Sequence, residues 1–389
     1  MMPAEEGKTG ESMKSRESHA ARLKRSSKVF TRFAEMRELE DGYAFRYRRT
    51  HQWEATLARF TELWSEGCPT ITFQLLPGRD HGDIWLEIRG PEGTKNFVRG
   101  ARRILTTNLN PQPTAGNRLR RGLRLATCLL RVLPDFLIIG AKKCGTTALY
   151  SYLAAHPRVA PAYQKEVQFF NSRRWLGMWW YRSFFPTFFE KIYARAVRGG
   201  EVLTGEATPD YLHDWHVPQK VFRAIPDVKL IALLRNPVDR AYSFYQHQRR
   251  GGFETLSFEA AIAEEESRLR GETEKVIADE RYHSHRLEHF SYLSRGRYTD
   301  QLERWDGFFP KSRILVLSTE ELHEKPASTL TRALDFLGLP YSAPDQFEQL
   351  NAIPYAPMDQ ATRTRLVEYF EPHNRRLYEF LGRSLGWDR

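Results

Sequence analysis

Apolar positions along this chain fall into runs of different rhythm, and each rhythm predicts a different element. Phe136–Ile139 and Val228–Leu234 are short and almost wholly apolar, the pattern of strands buried on both faces of a parallel sheet. Gly42–Tyr47 also reads as a strand. Trp53, Leu57, Phe60 and Trp64 then recur at helical spacing until Gly67, where the helix is predicted to end. Ile71–Leu76 and Ile84–Ile88 form a predicted hairpin across PGRDHGD, followed by a predicted helix near Pro91–Leu105.

These runs divide the chain. Residues 1–27 are polar and poor in large apolar groups, as expected of a disordered basic tail, and lack the apolar stretch of a signal peptide. Residues 28–105 are expected to form a small α+β domain, and residues 106–133 a basic linker or amphipathic helix. Residues 134–389 are expected to form an α/β domain, a P-loop-like parallel sheet covered by helices. A chain of 389 residues is long enough for two such cores.

The chemistry concentrates after the two apolar strands. In PDFLIIGAKKCGTTAL, Gly140 and Gly145 bracket four residues and Thr146-Thr147 open a helix, the spacing of a Walker-type loop. Thr146 stands where an ATPase places lysine, and Lys142 and Lys143 lie inside the loop. Successive backbone N–H groups at a helix N-terminus still make an anion site. The second strand ends in Arg235-Asn236-Pro237, where Mg-dependent P-loop enzymes usually place aspartate, and Ser243 follows. A guanidinium and a hydroxyl can clamp an anion without a metal. Two such clamps suit a nucleotide charged at both ends.

At these residues the chain resembles the sulfotransferases, specifically the carbohydrate, heparan-sulfate-like branch and its bacterial relatives. Their 5′-phosphosulfate loop matches Lys143-Cys144-Gly145-Thr146-Thr147, and their 3′-phosphate clamp matches Arg235 and Ser243. The resemblance continues through Lys165–Phe170, Gly205–Tyr211 and Tyr369-Phe370 to Trp387, covering about residues 134–389. It implies 3′-phosphoadenosine 5′-phosphosulfate (PAPS) as co-substrate, no metal, and sulfuryl transfer to a hydroxyl or amine of a carbohydrate or glycolipid-like acceptor. It further implies Glu166 as the base, Thr146 and Thr147 as ligands of the 5′-phosphate, and Lys143 as the cation that neutralises charge on the bridging oxygen.

Gln168 and Ala207 depart from the family, which often has histidine and lysine there, so the acceptor does not carry over from heparan sulfate. Two other readings stay open: a P-loop nucleotide-dependent kinase, and a non-catalytic nucleotide- or polyanion-binding protein. Each site residue also has a plainer reading, a ligand-free glycine turn for the loop and a solvated Lys165-Glu166 pair for the base. His156 is expected to end a helix before Pro157, and the Cys144 thiol to be incidental.

Charge and cysteine content change the picture only at the N-terminal side. Residues 1–133 hold 24 of the 59 Lys and Arg and 15 of the 48 Asp and Glu, so the excess basicity lies outside the α/β domain. Within RLRRGLRLATCLLRVL, arginines and leucines alternate without an acidic residue, fitting either a helix packed on the domain or contact with a membrane surface or polyanion. In RRWLGMWWYRSFFPTFF, Trp180, Tyr181 and Phe184 are expected to pack as core, with one edge of the segment open to an acceptor. The small N-terminal module resembles an uncharacterised bacterial domain. Three cysteines without CxxC spacing point to a reducing compartment and give no zinc site; the lack of a signal peptide adds the expectation of a cytoplasmic protein, and the domain architecture that of a bacterial enzyme. No apolar run reaches membrane-spanning length, and no specific nucleic-acid partner is expected.

Overall fold

The computed structural model describes residues 29–30, 33–67, 71–78, 82–91, 94–95, 98, 115–344, 346–347 and 355–387. The chain divides into two compact units, residues 1–112 with 251–255, and residues 113–250 with 256–389.

The first unit is a four-stranded antiparallel sheet with strands β1 (Glu35–Glu38), β2 (Gly42–Arg48), β3 (Thr72–Pro77) and β4 (Asp83–Arg89) in the order β1-β2-β4-β3. Helix α1 (His51–Gly67) lies between β2 and β3 in the chain. Alternation places Ile84, Leu86 and Ile88 inward, where they meet Phe45, Leu57 and Phe60 in one core. Strand β1, sequence EMRE, has no apolar rhythm; its pairing with β2 is reinforced by Arg46, which reaches Glu35 at 2.9 Å and Asp83 at 2.8 Å. Cys68 and Pro69, the tail before residue 29 and most of the helix predicted near 91–105 lie outside the described residues.

The second unit is an α/β domain around five parallel strands: β5 (Phe136–Gly140), β6 (Val159–Pro161), β7 (Leu203–Ala207), β8 (Lys229–Leu234) and β9 (Ile314–Ser318). Their order is β6-β7-β5-β8-β9. The chain fills one side of β5 with β6 and β7, then crosses to the other side with β8. Ligands of open parallel sheets bind beyond the strand C-termini at such a switch point. The helices used below are α2 (Ala115–Ala126), α3 (Thr146–Ala155), α4 (Phe188–Arg198), α5 (Pro237–Gly251) and α6 (Gln360–Leu381).

The basic segment at 115–131 is held to the second unit by its arginines. Arg124 donates to the carbonyls of Ser183 at 2.7 Å and Phe185 at 2.9 Å, and Arg131 donates to Phe185 O at 2.6 Å. Leu123, Leu125, Leu129 and Leu130 are exposed. Guanidinium groups satisfy the carbonyls just past a helix end, which leucine cannot, and this turns the expected amphipathic packing inside out. In the aromatic segment, Tyr181 and Phe184 are buried and Tyr181 stacks on Phe169 with centroids 4.5 Å apart, whereas Trp175 and Trp179 face outward. His156 ends α3 as expected: its Nδ1 accepts from Arg158 N, so Nε2 donates to Pro340 O.

Candidate functional site

Gly140 ends β5 where Leu212 crosses it; a Cβ there would lie 2.5 Å from Leu212 Cβ and 3.1 Å from Pro209 O. The chain then turns through Ala141–Gly145, with Lys143 (φ 72°) and Gly145 (φ 81°) both left-handed, before α3 begins. This turn leaves the backbone N–H groups of Lys142, Lys143, Gly145, Thr146 and Thr147 without an acceptor among the described residues. Donors converging at a helix N-terminus are an anion cradle.

The two lysines of the loop have different surroundings. Lys142 Nζ lies 3.1 Å from Asp210, which also receives Arg295 at 3.0 Å. Burial pushes the Asp210 carboxyl up, but Lys142 and Arg295 outweigh it and hold it below the usual carboxylate range. Lys143 has no hydrogen-bonding or ion-pair partner among the described residues. Burial lowers its ammonium pKa, and the positive charges of Arg250, Arg235 and Lys142 lower it further. Of these cations Lys142 alone is paired, with Asp210; Lys143, Arg235 and Arg250, gathered with no carboxylate partner among the described residues, are arranged to receive an anion.

Arg235 joins this cluster through the sheet. Strand β8 pairs with β5 in parallel, Ala141 N donates to Leu233 O at 2.8 Å, and the two chain segments therefore leave the sheet side by side. Two hydroxyls fasten them: Thr319 Oγ1 is within reach of Cys144 O (2.7 Å) and Leu234 O (2.9 Å), and Tyr298 OH donates to Arg235 O at 2.8 Å. Asn236 opens α5 by accepting from Val238 N, while Glu320 accepts from Asn236 N and from the indole of Trp387. The C-terminal aromatic is thereby tied to the arginine turn. The Arg235 guanidinium and the buried Ser243 hydroxyl have no hydrogen-bonding partner among the described residues. Ser243, His247 and Arg250 lie at i, i+4 and i+7 of α5, hence on one face, and Arg250 is among the charges acting on Lys143. Its seven-residue offset from Ser243 was the sequence signal for Arg250, which pattern reading had passed over.

Cys144 is buried, its thiol 3.8 Å from Tyr298 OH, and burial pushes its pKa up to about 11. A thiol held protonated this way is a packing group.

Glu166 reaches the loop through its neighbour. Lys165 Nζ donates to Thr147 Oγ1 at 2.5 Å and lies 3.0 Å from Glu166 Oε1, and the Glu166 side chain remains 42% exposed. Glu166 (φ 56°) and Gln168 (φ 53°) are both left-handed, a conformation costing about 1–3 kcal/mol each for residues with a Cβ. The end of β7 and the segment after it hold them there. Glu166 N donates to Ala207 O, Val167 N to the Glu206 carboxylate, Gln168 N to Thr208 Oγ1, and Phe169 N and Phe170 N to Tyr211 OH. Glu206 is fully buried and also accepts from Tyr181, Tyr211 and Thr208; burial raises its pKa against these donors. The GEATPDY motif therefore acts as a mould for the Glu166 segment, a role the sequence did not reveal. Ala207 itself is fully buried.

No group of three or more His, Cys, Asp or Glu that could hold a metal ion occurs among the described residues.

Residues 133–369 match the sulfotransferase domain family. The chain is similar to a solved sulfotransferase from Alicyclobacillus acidocaldarius, with 32% identity, 66% of this chain and 100% of that chain covered, and a TM-score of 0.51. It is 28% identical over 323 residues to the membrane-associated sulfotransferase kil1 of Dictyostelium discoideum, covering 66% of this chain and 67% of that protein. It is 32% identical over 283 residues to the human bifunctional heparan sulfate N-deacetylase/N-sulfotransferase 3, covering 64% of this chain but only 30% of that protein.

Proposed function

The chain belongs to the sulfotransferase family, and from that premise we propose that it transfers the sulfuryl group of PAPS to a hydroxyl or amine of a carbohydrate or glycolipid-like acceptor. The observation that carries the residue assignment is the partnerless Lys143 ammonium, set among Arg235, Arg250 and open backbone donors. This donor set fits the two charged ends of PAPS: the 141–147 loop would hold the 5′-phosphosulfate, and Arg235 with Ser243 the 3′-phosphate. PAPS supplies an activated sulfuryl group whose leaving group is the 5′-phosphate.

Glu166 takes the proton of the acceptor hydroxyl as its oxygen forms the new bond to sulfur. The bond from sulfur to the bridging oxygen breaks, and its electron pair stays on the 5′-phosphate. Lys143 and the loop N–H groups meet the charge that develops on that oxygen, where preorganised donors contribute most. Lys165 positions Glu166 against the Thr147 end of the cradle. The carbohydrate class rests on likeness to a protein named for heparan sulfate. A reducing compartment belongs to the same reading and is supported by Cys128 and Cys144, both free. No helix among the described residues is long and apolar enough to cross a membrane.

The test is transfer of label from sulfur-labelled PAPS to a panel of glycans, glycolipids and cell extract by the purified chain. Labelled product is expected to form with the unaltered chain, and to form about a hundredfold or more slowly with Lys143→Ala. Transfer at an undiminished rate after this substitution would remove Lys143 from the site.

A further inference from the structure

Helix α4 exposes the half of its surface that a helix docked on a domain normally buries. At 100° per residue, Phe188, Ile192, Phe189, Tyr193 and Val197 share one half of the wheel, and each is at least 50% exposed. The polar half holds the helix down. Lys191 pairs with Asp135 at 2.9 Å, Arg198 donates to Pro157 O, and Glu190 closes a capping box with Thr187. The rotation of the helix is therefore fixed, with its apolar half turned away from the sheet.

The exposed leucines of the preceding basic segment continue this face. Val132 N donates to Pro186 O at 3.1 Å, and Leu129 and Leu130 line one groove with Phe188 and Phe189. The exposed charge on these segments is mostly positive: Arg121, Arg174, Arg195 and Arg198 are exposed beside Glu190, and Asp135 is paired with Lys191.

We propose that this face docks on an anionic phospholipid bilayer, with α4 parallel to the surface, its phenylalanine, isoleucine and valine side chains below headgroup level and the exposed arginines, Arg195 and Arg198 among them, at lipid phosphates. Charge complementarity selects this occupant. A second copy would bring the same positive surface against itself in a two-fold contact. A soluble polyanion would pair the arginines and leave the apolar side chains in water, whereas a bilayer accepts both.

The experiment is co-sedimentation of the full chain with vesicles of phosphatidylcholine alone or with about 30% phosphatidylserine, the kind of charge that attracts basic surfaces. The double variant Phe189→Ser/Tyr193→Ser is compared with the unaltered chain, and adenosine 3′,5′-bisphosphate affinity and melting temperature report on the fold. The unaltered chain is expected to bind the anionic vesicles, and the double variant to bind about tenfold more weakly or worse. Arg195→Ser is expected to weaken binding mainly at low salt. Lack of vesicle binding, or equal binding by the double variant with its fold intact, overturns the proposal. So does a dimer of the unaltered chain that the double variant dissolves, or heparin binding that displaces both proteins from vesicles equally.

Discussion

The Lys142 ammonium lies 3.1 Å from the Asp210 carboxylate, and this pair gives the physical reason why two adjacent lysines have different roles. Lys142 is spent on the scaffold, and Lys143 faces the cation cluster with no counter-charge among the described residues.

Lys143→Ala is therefore expected to leave unfolding stability nearly unchanged and to lower kcat by about a hundred- to a thousandfold, the scale for losing one group that stabilises developing charge. Lys142→Met should instead destabilise the fold by about 2 kcal/mol, since Asp210 keeps Arg295 but loses half its charge pairing. Chemical denaturation and turnover on both variants check the division. Because burial and neighbouring cations lower the Lys143 pKa, its ammonium is lost at a lower pH than that of an ordinary lysine. An alkaline fall in kcat/KM is expected below the usual lysine range, and Lys143→Arg should move it upward.

Asp210 carries the opposite pH signature. Its folded-state pKa is depressed, so its contribution to stability is present above the ordinary aspartate range and lost as pH falls through the lower, folded value. Asp210→Asn should be less stable at neutral pH and show a shallower loss of stability in acid, read from denaturation midpoints across that range.

Arg235→Ala should weaken adenosine 3′,5′-bisphosphate binding by about 2–4 kcal/mol, because a charge-assisted clamp on a dianion is removed. A ligand lacking the 3′-phosphate should lose much less. Calorimetry with both ligands decides, and equal losses would take Arg235 out of the clamp.

Glu166→Gln should keep nucleotide affinity and reduce turnover by about a hundredfold or more, the scale of general-base loss. The side chain is partly exposed and its backbone is fixed by Ala207, so the fold should tolerate the change. Unaltered turnover with the true acceptor would mean that another group takes the proton.

Glu206→Ala should cost about 3 kcal/mol or more, since three hydroxyls and the Val167 amide lose one buried acceptor. Activity should fall with stability, because the same contacts hold the left-handed Glu166 segment. Full activity in a folded Glu206→Ala variant would show that the mould is dispensable.

The strand, loop and helix start at 136–149 and the strand before Arg235 were legible in the sequence because their signals are local. An apolar run, two bracketing glycines and a helix-opening Thr-Thr pair suffice for the first, and an apolar run ending in Arg-Asn-Pro for the second. Strand β1 was not legible, since EMRE becomes a strand only by pairing with β2 and by Arg46 bridging Glu35 to Asp83. The motif resemblance already points to Lys143, but the reason Lys142 is neutralised lies in Asp210, 68 residues away along the chain. Glu206 as an organiser depended on Tyr181 and Tyr211 arriving from separate segments. The outward apolar face of α4 depended on Asp135 claiming Lys191. Period and spacing fix which backbone elements form and where anion donors collect. Which side chain is neutralised, buried or left facing solvent is decided by partners distant in sequence, because charge pairing and desolvation act through space.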